Sequence, residues 1–252
     1  MNWRRIALAG AGLAALAGAA GLAGGPRTPR LVAGTCADFP PFESRVDGRI
    51  VGFDLEIAGG IAARAGRELR VRDLEFSELL PALERGAVDL VVAALAPTAE
   101  RRAAADFSEP YYRATPVALA RKAAGAPAAK AELAGRRIGA VLGTAGIGVA
   151  ATLTADGNIR PALSALGAVA DLMNGEVDAA ILDEEAAARF EQKNPELRRI
   201  ALGAGEEAYA VAVRRGDAEL RATVNAALAE MAADGRRDRF ADRWLVRAPE
   251  PE

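Results

Sequence analysis

Histidine is absent from the 252-residue sequence, and cysteine occurs only once, as Cys36. Histidine is the commonest metal ligand and the commonest general base, so its absence argues against zinc chemistry and against Ser-His-Asp hydrolysis. A single cysteine cannot form an intrachain disulfide, and Cys36 is most simply interpreted as a small buried apolar residue. We therefore expect neither a metal nor a cofactor.

An excess of positive charge is also missing. The formal net charge is −2, and no run of like charges suggests a phosphate-binding stripe, so nucleic acid is not an expected partner. Hydrophobic residues make up 51% of the chain and charged residues 26%, a balance typical of globular proteins. The length suits one large domain or two small ones.

The first 23 residues differ in composition from the rest. Arg4 and Arg5 precede an uncharged Ala/Gly/Leu run from Ile6 to Ala23, a pattern that predicts a secretory signal peptide with cleavage after Ala23. A retained membrane anchor is the alternative, but a run this rich in alanine and glycine is weakly hydrophobic for a bilayer span. The paired arginines are also compatible with twin-arginine export. We expect the mature protein to lie in the periplasm.

One strand-to-helix loop carries a candidate anion ligand. The apolar run Leu90–Leu95 predicts a buried strand, which must end before Pro97, and Thr98 is placed to cap the helix that follows. In an open α/β sheet such a loop lies where ligands bind. It carries Arg101, whose planar guanidinium suits a carboxylate. A surface ion pair of Arg101 with Glu100 or Asp106 is the alternative.

Strands and helices alternate along the whole chain, which predicts an α/β fold with mostly parallel sheets. A composition shift at residues 122–127 indicates a connection between two lobes, because this segment has few bulky side chains. The second unit repeats the first in outline, from a strand at residues 137–141 to a buried strand that ends at Asp183.

Several motifs resemble a known family. Phe39-Pro40-Pro41-Phe42, Gly52-Phe53-Asp54-Leu55-Glu56 and Asp106-Phe107-Ser108-Glu109-Pro110-Tyr111-Tyr112 are similar to those of the bacterial extracellular solute-binding proteins of family 3, the amino-acid-binding proteins of ABC importers. The resemblance implies a type II periplasmic-binding-protein fold, two α/β lobes with a ligand cleft between them. It also implies two crossover strands, Val117–Arg121 and Ala208–Val213, with lobe 1 at residues 30–118 plus 208–252 and lobe 2 at 119–207.

The same resemblance implies a site for a small zwitterion. Arg101 would bind the ligand carboxylate with help from backbone N–H groups near Ala96 and Ala145, and Asp183 would accept from the ammonium. Phe39 and Phe76 would form apolar walls, and Thr144 would donate to the carboxylate. Further cleft residues are expected at Cys36, Ala94 and Val141. An ABC permease in the inner membrane would be the partner of a monomeric protein.

Departures from the family pattern concern the ligand. Family members often have a hydroxyl side chain where Ala96 stands, an acid where Cys36 stands, and a polar residue where Val141 or Leu182 stands. Because an unpaired buried charge is costly, these replacements predict a ligand with an uncharged side chain.

Other interpretations remain open. The same fold occurs in periplasmic cyclohexadienyl (arogenate) dehydratases, for which Glu184 or Glu185 would be a candidate general acid. A ligand-binding sensory or accessory role is a third possibility. Asp183 could also serve as the N-cap of the helix that follows it.

Overall fold

A computed structural model describes residues 29–245 of the chain. The predicted signal peptide, residues 1–23, lies outside the described residues. Within residues 29–245, no helix is both long enough and apolar enough to cross a membrane.

Within the described residues, the segment from 30 to 121 contains eight strands and three α-helices. In chain order they are β1 Arg30–Thr35, β2 Asp38–Phe39, β3 Glu43–Val46, β4 Arg49–Val51, α1 Phe53–Arg64, β5 Glu68–Asp73, α2 Leu79–Glu84, β6 Leu90–Val91, α3 Ala99–Ala104, β7 Ala105–Ala114 and β8 Pro116–Arg121. The second half follows with β9 Ile138–Val141, α4 Ala145–Leu153, β10 Ile159–Ala162, α5 Ala165–Met173, β11 Ala179–Asp183, α6 Glu184–Lys193, β12 Leu197–Ala201, β13 Glu207–Arg214, α7 Ala218–Ala233 and α8 Arg236–Trp244. Short 3₁₀ turns lie at Phe76–Glu78, Lys130–Leu133 and Asp156–Asn158.

Two five-stranded sheets define two lobes. The first sheet has the order β5-β1-β6-β13-β7, with β1 parallel to β5 and β6, and with β13 antiparallel to β6 and β7. The second has the order β10-β9-β11-β8-β12, with β9 parallel to β10 and β11. We call the part built on the first sheet lobe 1 and the part built on the second sheet lobe 2.

The inner strands of each sheet are buried on both faces, which explains why β6, β8, β11 and β13 are apolar runs, whereas the edge strand β5 alternates. In lobe 1, apolar residues of α1 and α7 pack on one face and those of α2 on the other. In lobe 2, α5 and α6 cover one face and α4 covers the opposite one. Each lobe therefore has its own hydrophobic core, which leaves room for a cleft between the two lobes.

The chain changes sheet in two places. It leaves the first sheet at the end of β7 and enters the second at Pro116, and it returns between β12 and β13, through residues 202–206. The predicted crossover strands Val117–Arg121 and Ala208–Val213 are therefore not crossovers: each lies within one sheet, and the crossing precedes it. Because all of β8 pairs within the second sheet, we infer that the lobes divide at Thr115 and at residues 202–206.

The strand predicted at Leu90–Leu95 is shorter, because β6 contains only Leu90 and Val91. The buried carboxylate of Asp54 accepts a 2.7 Å hydrogen bond from the backbone N–H of Ala94, which has a positive φ of 43°. This contact turns the chain out of the ladder and into a loop. The loop then leads to Thr98, whose side chain accepts from the backbone N–H of Arg101 as the predicted N-cap of α3.

Candidate functional site

A cavity of about 480 Å³ lies between the lobes. Lobe 1 contributes Arg101 and Phe76 to its wall, and lobe 2 contributes Thr144 and Val141. Eight of the predicted site residues line this cavity: Cys36, Phe39, Phe76, Ala94, Ala96, Arg101, Val141 and Thr144.

A second cavity of about 270 Å³ shares three of these residues, Phe39, Val141 and Thr144, and is lined in addition by Asp183 and Leu182. The predicted cation and the predicted anion of the site are therefore in adjoining cavities and not in one. Ala145 lines neither cavity. It is the first residue of α4, directly after the N-cap Thr144, whose hydroxyl accepts from the N–H of Gly146.

Arg101 reaches from lobe 1 to lobe 2. Its Nη1 donates to the carbonyl oxygen of Ala96 at 2.9 Å, its Nη2 donates to the carbonyl of Gly143, and its guanidinium lies 5.2 Å from the ring centre of Phe76. It forms no ion pair within 4.0 Å among the described residues, so the alternative of a surface pair with Glu100 or Asp106 does not hold. Burial lowers the pKa of Arg101, and the charges of Glu207 and Glu100 oppose that shift.

Asp183 ends β11 and is buried. The hydroxyl of Tyr209, on β13 of lobe 1, donates a hydrogen bond to its Oδ2. Burial raises the pKa of Asp183 to about 7, although the Tyr209 bond opposes the shift. Asp183 occupies the N-cap position of α6 but makes no side-chain capping bond, so this carboxylate is turned toward the other lobe.

Three acids that the motifs do not assign to the site, Asp38, Glu43 and Glu207, line the larger cavity. Asp38 lies two residues after Cys36, and the Cys36 thiol donates to its Oδ1 at 3.3 Å. Burial, followed by the charge of Asp38, raises the pKa of Cys36 to about 12, which keeps the thiol protonated as a donor. A carboxyl group therefore lies beside Cys36, at the position where the motif comparison shows no acid.

Glu43 is 1% exposed and forms a carboxyl pair with Asp54. Glu43 Oε2 and Asp54 Oδ1 are buried without a hydrogen-bond partner, while Asp54 Oδ2 accepts from the N–H of Ala94 and from the hydroxyl of Tyr111 at 2.8 Å. Burial raises the pKa of Glu43 well above its usual value and that of Asp54 to about 6. The nearby charge of Asp54 adds to burial in favouring the protonated form of Glu43, since like charges this close do not both ionise.

Glu207 is the first residue of β13. Burial raises the pKa of its carboxyl, whereas the backbone N–H of Ala145 and the charge of Arg101 lower it. A signal for this residue exists in the sequence, because it directly precedes a predicted strand whose start faces the cleft. Glu43 offers no such signal, since it differs from a surface glutamate only through its burial.

Further contacts hold the lobes together. Tyr112 of lobe 1 donates to Glu185 of lobe 2, and Arg189 of lobe 2 donates to the carbonyl of Trp244 at 3.1 Å. Within lobe 2, Glu184 accepts from Arg199 at 3.3 Å. Glu184 and Glu185 line neither of the two described cavities, so no cavity-facing general acid is found at either position.

Comparison with known proteins agrees with this two-lobed arrangement. Residues 31–247 match the model of the bacterial extracellular solute-binding proteins, family 3. The chain belongs to this family. It is a solute-binding protein with the type II periplasmic-binding fold, as the motifs predicted.

Individual relatives of this solute-binding protein are similar over most of their length. The chain is 33% identical over 223 residues to the arginine-binding extracellular protein ArtP of Bacillus subtilis strain 168, a match that covers 86% of each chain. Its structure resembles the arginine-, lysine-, histidine-binding protein ArtJ of Geobacillus stearothermophilus, with 30% identity, a TM-score of 0.79, and coverage of 88% of this chain and 97% of that one. An ancestral arginine-binding protein bound to glutamine has 31% identity and a TM-score of 0.78, with coverage of 85% and 97%.

Proposed function

We propose that this protein binds a basic amino acid in the cleft between its lobes and delivers it to an ABC permease. The observation that carries the proposal is the charge of the cleft. Its larger cavity is lined by one cationic side chain, Arg101, and by three acids, Asp38, Glu43 and Glu207. Even without a charge on Glu43, the carboxyls of Asp38 and Glu207 stand against one guanidinium, and Asp183, whose pKa burial raises to about 7, adds negative charge in the adjoining cavity when it is ionised.

This charge distribution argues against the ligand with an uncharged side chain that the motif comparison predicts. That expectation depended on the missing acid at Cys36 and the missing polar residue at Val141 or Leu182, but Asp38 brings a carboxyl group to Cys36. A zwitterion would leave the excess negative charge of the closed cleft unbalanced, and an acidic ligand would increase it. A ligand with a cationic side chain would reduce it, in a place where closure strengthens every ionic contact.

In the proposed complex, the ligand carboxylate lies against Arg101 and the α-ammonium against Asp183. The cationic side chain faces Asp38, with Phe39 and Phe76 on its apolar flanks. The names of ArtP and ArtJ, which bind basic amino acids, support this ligand class. Lobe closure around the ligand would present the occupied form to the permease.

We further propose that residues 1–23 are a signal peptide that directs the protein to the periplasm, where it acts as a monomer without catalytic activity. A dehydratase remains the alternative activity. Incubation with prephenate or arogenate should give no phenylpyruvate or phenylalanine, and formation of either product would overturn the non-enzymatic assignment.

A screen of ligand-dependent melting temperature tests the proposed function, because a ligand bound only by the folded state raises stability. L-Arginine, L-lysine and L-histidine should raise the melting temperature more than L-glutamine or L-leucine, and L-glutamate should have no effect. Arg101→Ala should abolish the shift, whereas Arg113→Ala, an exposed arginine on β7, should leave it unchanged. A shift that survives Arg101→Ala, or a largest shift with L-glutamate or L-leucine, would contradict the proposal.

A further inference from the structure

Asp38, the acid that is proposed to face the cationic side chain of the ligand, follows a turn and does not lie on a strand of a five-stranded sheet. β1 ends at Thr35, and the N–H of Asp38 donates to the carbonyl oxygen of Cys36 at 2.8 Å, which closes a three-residue turn. Asp38 is exposed although it lines the larger cavity. Contacts that hold this turn therefore set the position of the carboxyl group.

Asp73 holds the turn from the neighbouring strand. It is the last residue of β5 and pairs with Thr35, the last residue of β1. Its Oδ1 accepts a hydrogen bond of 2.9 Å from the backbone N–H of Ala37, the residue directly before Asp38. The side chain of Asp73 thus extends the contact between β1 and β5 beyond the ends of the two strands and into the turn.

The same carboxylate also contacts the strand opposite Asp38. Its Oδ2 accepts from Nη2 of Arg45 at 2.5 Å, and Arg45 lies on β3, where the preceding residue, Ser44, pairs with Asp38. The side chain of Arg45 is 54% exposed, so this ion pair contributes little by itself. The bond to the backbone of Ala37 is therefore the contact that decides where Asp38 lies.

The charge of Asp73 has a separate effect on Asp38. Burial raises the pKa of Asp38, and the charges of Glu75 and Asp73 add to that shift, while the hydrogen bond from Cys36 opposes it. Through its charge, then, Asp73 disfavours the ionised form of Asp38 that a cationic ligand needs. A benefit of Asp73 to Asp38 therefore comes from the hydrogen bond that fixes the turn and not from this charge.

We propose that Asp73 is a positioning residue, which through its hydrogen bond to Ala37 holds the carboxyl group of Asp38 against the cationic side chain of the ligand. Discrimination between a cationic and an uncharged side chain then depends on Asp73, although Asp73 lines neither of the two described cavities. A partner outside the cavity is needed because the acid stands on a turn and not at Cys36, next to the end of β1. This inference depends on the proposed function, since it assumes a cationic ligand.

Calorimetry with L-arginine and L-citrulline, which differ in side-chain charge, tests the inference. The measured quantity is the ratio of the two dissociation constants, because a merely structural defect weakens the binding of both ligands alike. Asp73→Ala removes the acceptor for the N–H of Ala37 and should lower the wild-type preference for L-arginine by about fivefold. Asp73→Asn keeps an oxygen acceptor of the same size without the charge, and should keep the preference within about twofold of the wild-type value.

Asp178→Ala is the matched control. Asp178 likewise accepts from a backbone N–H and from an arginine side chain, both of Arg137, at 3.0 and 2.9 Å. It lies directly before β11, whose other end, Asp183, faces the cleft, and it lines neither described cavity. Loss of its side chain should leave the preference for L-arginine unchanged.

The outcomes separate this inference from the proposed function. A wild-type preference for L-arginine that is unchanged in Asp73→Ala would overturn the inference and leave the proposed function in place. A preference as low in Asp73→Asn as in Asp73→Ala would also overturn it, since the charge and not the position would then explain the effect. Equal binding of the two ligands by wild-type protein would contradict the proposed function itself. If Asp73→Ala folds poorly, Asp73→Val gives the same test, because valine also lacks an acceptor and favours the strand conformation of β5.

Discussion

The hydroxyl of Tyr209 on lobe 1 donates a hydrogen bond to the carboxylate of Asp183 on lobe 2. The same carboxylate is the proposed acceptor for the ligand ammonium. A buried carboxylate with one fixed donor keeps its second oxygen for a ligand, and the donor comes from the opposite lobe. Tyr209 therefore links the contact between the lobes to the proposed ammonium site.

Tyr209→Phe should weaken ligand binding. The substitution removes one cross-lobe hydrogen bond and a contact that lowers the pKa of Asp183. We expect an affinity loss of about threefold to tenfold, corresponding to about 1 kcal/mol for one hydrogen bond. Calorimetry with L-arginine measures it. Tyr112→Phe is the control, because it also removes a hydrogen bond between the lobes, the one to Glu185, but does so outside both cavities. The pH dependence of ligand affinity should change less in Tyr112→Phe than in Tyr209→Phe.

Affinity for an amino acid should rise with pH between 6 and 8. The ligand ammonium requires the ionised form of Asp183, and burial raises the pKa of Asp183 to about 7 in the unliganded protein. Below this pKa, binding must displace a proton, so affinity falls as the pH falls. Dissociation constants measured across this range check the prediction. Asp183→Asn should bind weakly and with a flat profile, and a flat profile in the wild-type protein would show that Asp183 does not face the ammonium.

Stability of the unliganded protein should change in the opposite direction, and fall as the pH rises from about 4 to 7. Burial raises the pKa of Asp54 to about 6 and that of Asp183 to about 7, and raises that of Glu43 as well, so the folded state binds more protons than the unfolded state in this range. A carboxyl whose pKa is one pH unit higher in the folded state than in the unfolded state costs about 1.4 kcal/mol of stability once it is ionised. Melting temperatures measured across this pH range test the prediction, and they should fall as the pH rises.

Glu43→Gln isolates the contribution of the Glu43–Asp54 pair to the pH dependence of stability. Its amide has nearly the size of the carboxyl but does not titrate, so the stability of the variant should depend less on pH than that of the wild-type protein. An equally steep decline in the variant would assign the pH dependence to groups other than Glu43.

Gly52→Ala should be strongly destabilising, by about 3 kcal/mol or more. Gly52 has a φ of 147°, and a Cβ there would overlap the backbone carbonyl oxygen of Phe42, which cannot move aside as a side chain can. Gly48→Ala is the matched control. Gly48 has a φ of 74° with nothing within 4 Å of its Cβ position, so only a backbone cost of about 1 kcal/mol is expected. Denaturant unfolding compares the two, and equal losses would argue against the close contact.

Much of the fold could be predicted because local patterns agree with it. The N-cap at Thr98 and the buried strand that ends at Asp183 follow from short-range chemistry, and the structure has them where the sequence indicates. The length of β6 could not be predicted in this way. It ends early because Asp54, 40 residues away, accepts a hydrogen bond from Ala94, and no property of the run Leu90–Leu95 reveals that contact.

In the candidate site, too, some residues can be predicted from local motifs and others cannot. Arg101 and Asp183 follow from motifs, whereas Asp38, Glu43 and Glu207 enter the cavity through tertiary packing. Motif positions alone show no acid at Cys36 and therefore predict an uncharged ligand. Cleft charge is a sum over residues from separate elements, so a sequence comparison that considers one position at a time misses it.

The central claim is that the cleft is built for a cationic side chain, and the most direct test compares L-arginine with L-citrulline, its uncharged isostere, by calorimetry on the wild-type protein. The two ligands share the α-carboxylate, the α-ammonium and nearly the same shape, so their difference isolates the side-chain charge. We predict that L-arginine binds at least tenfold more tightly, a difference of about 1.4 kcal/mol or more. Equal binding, or tighter binding of L-citrulline, would contradict the account.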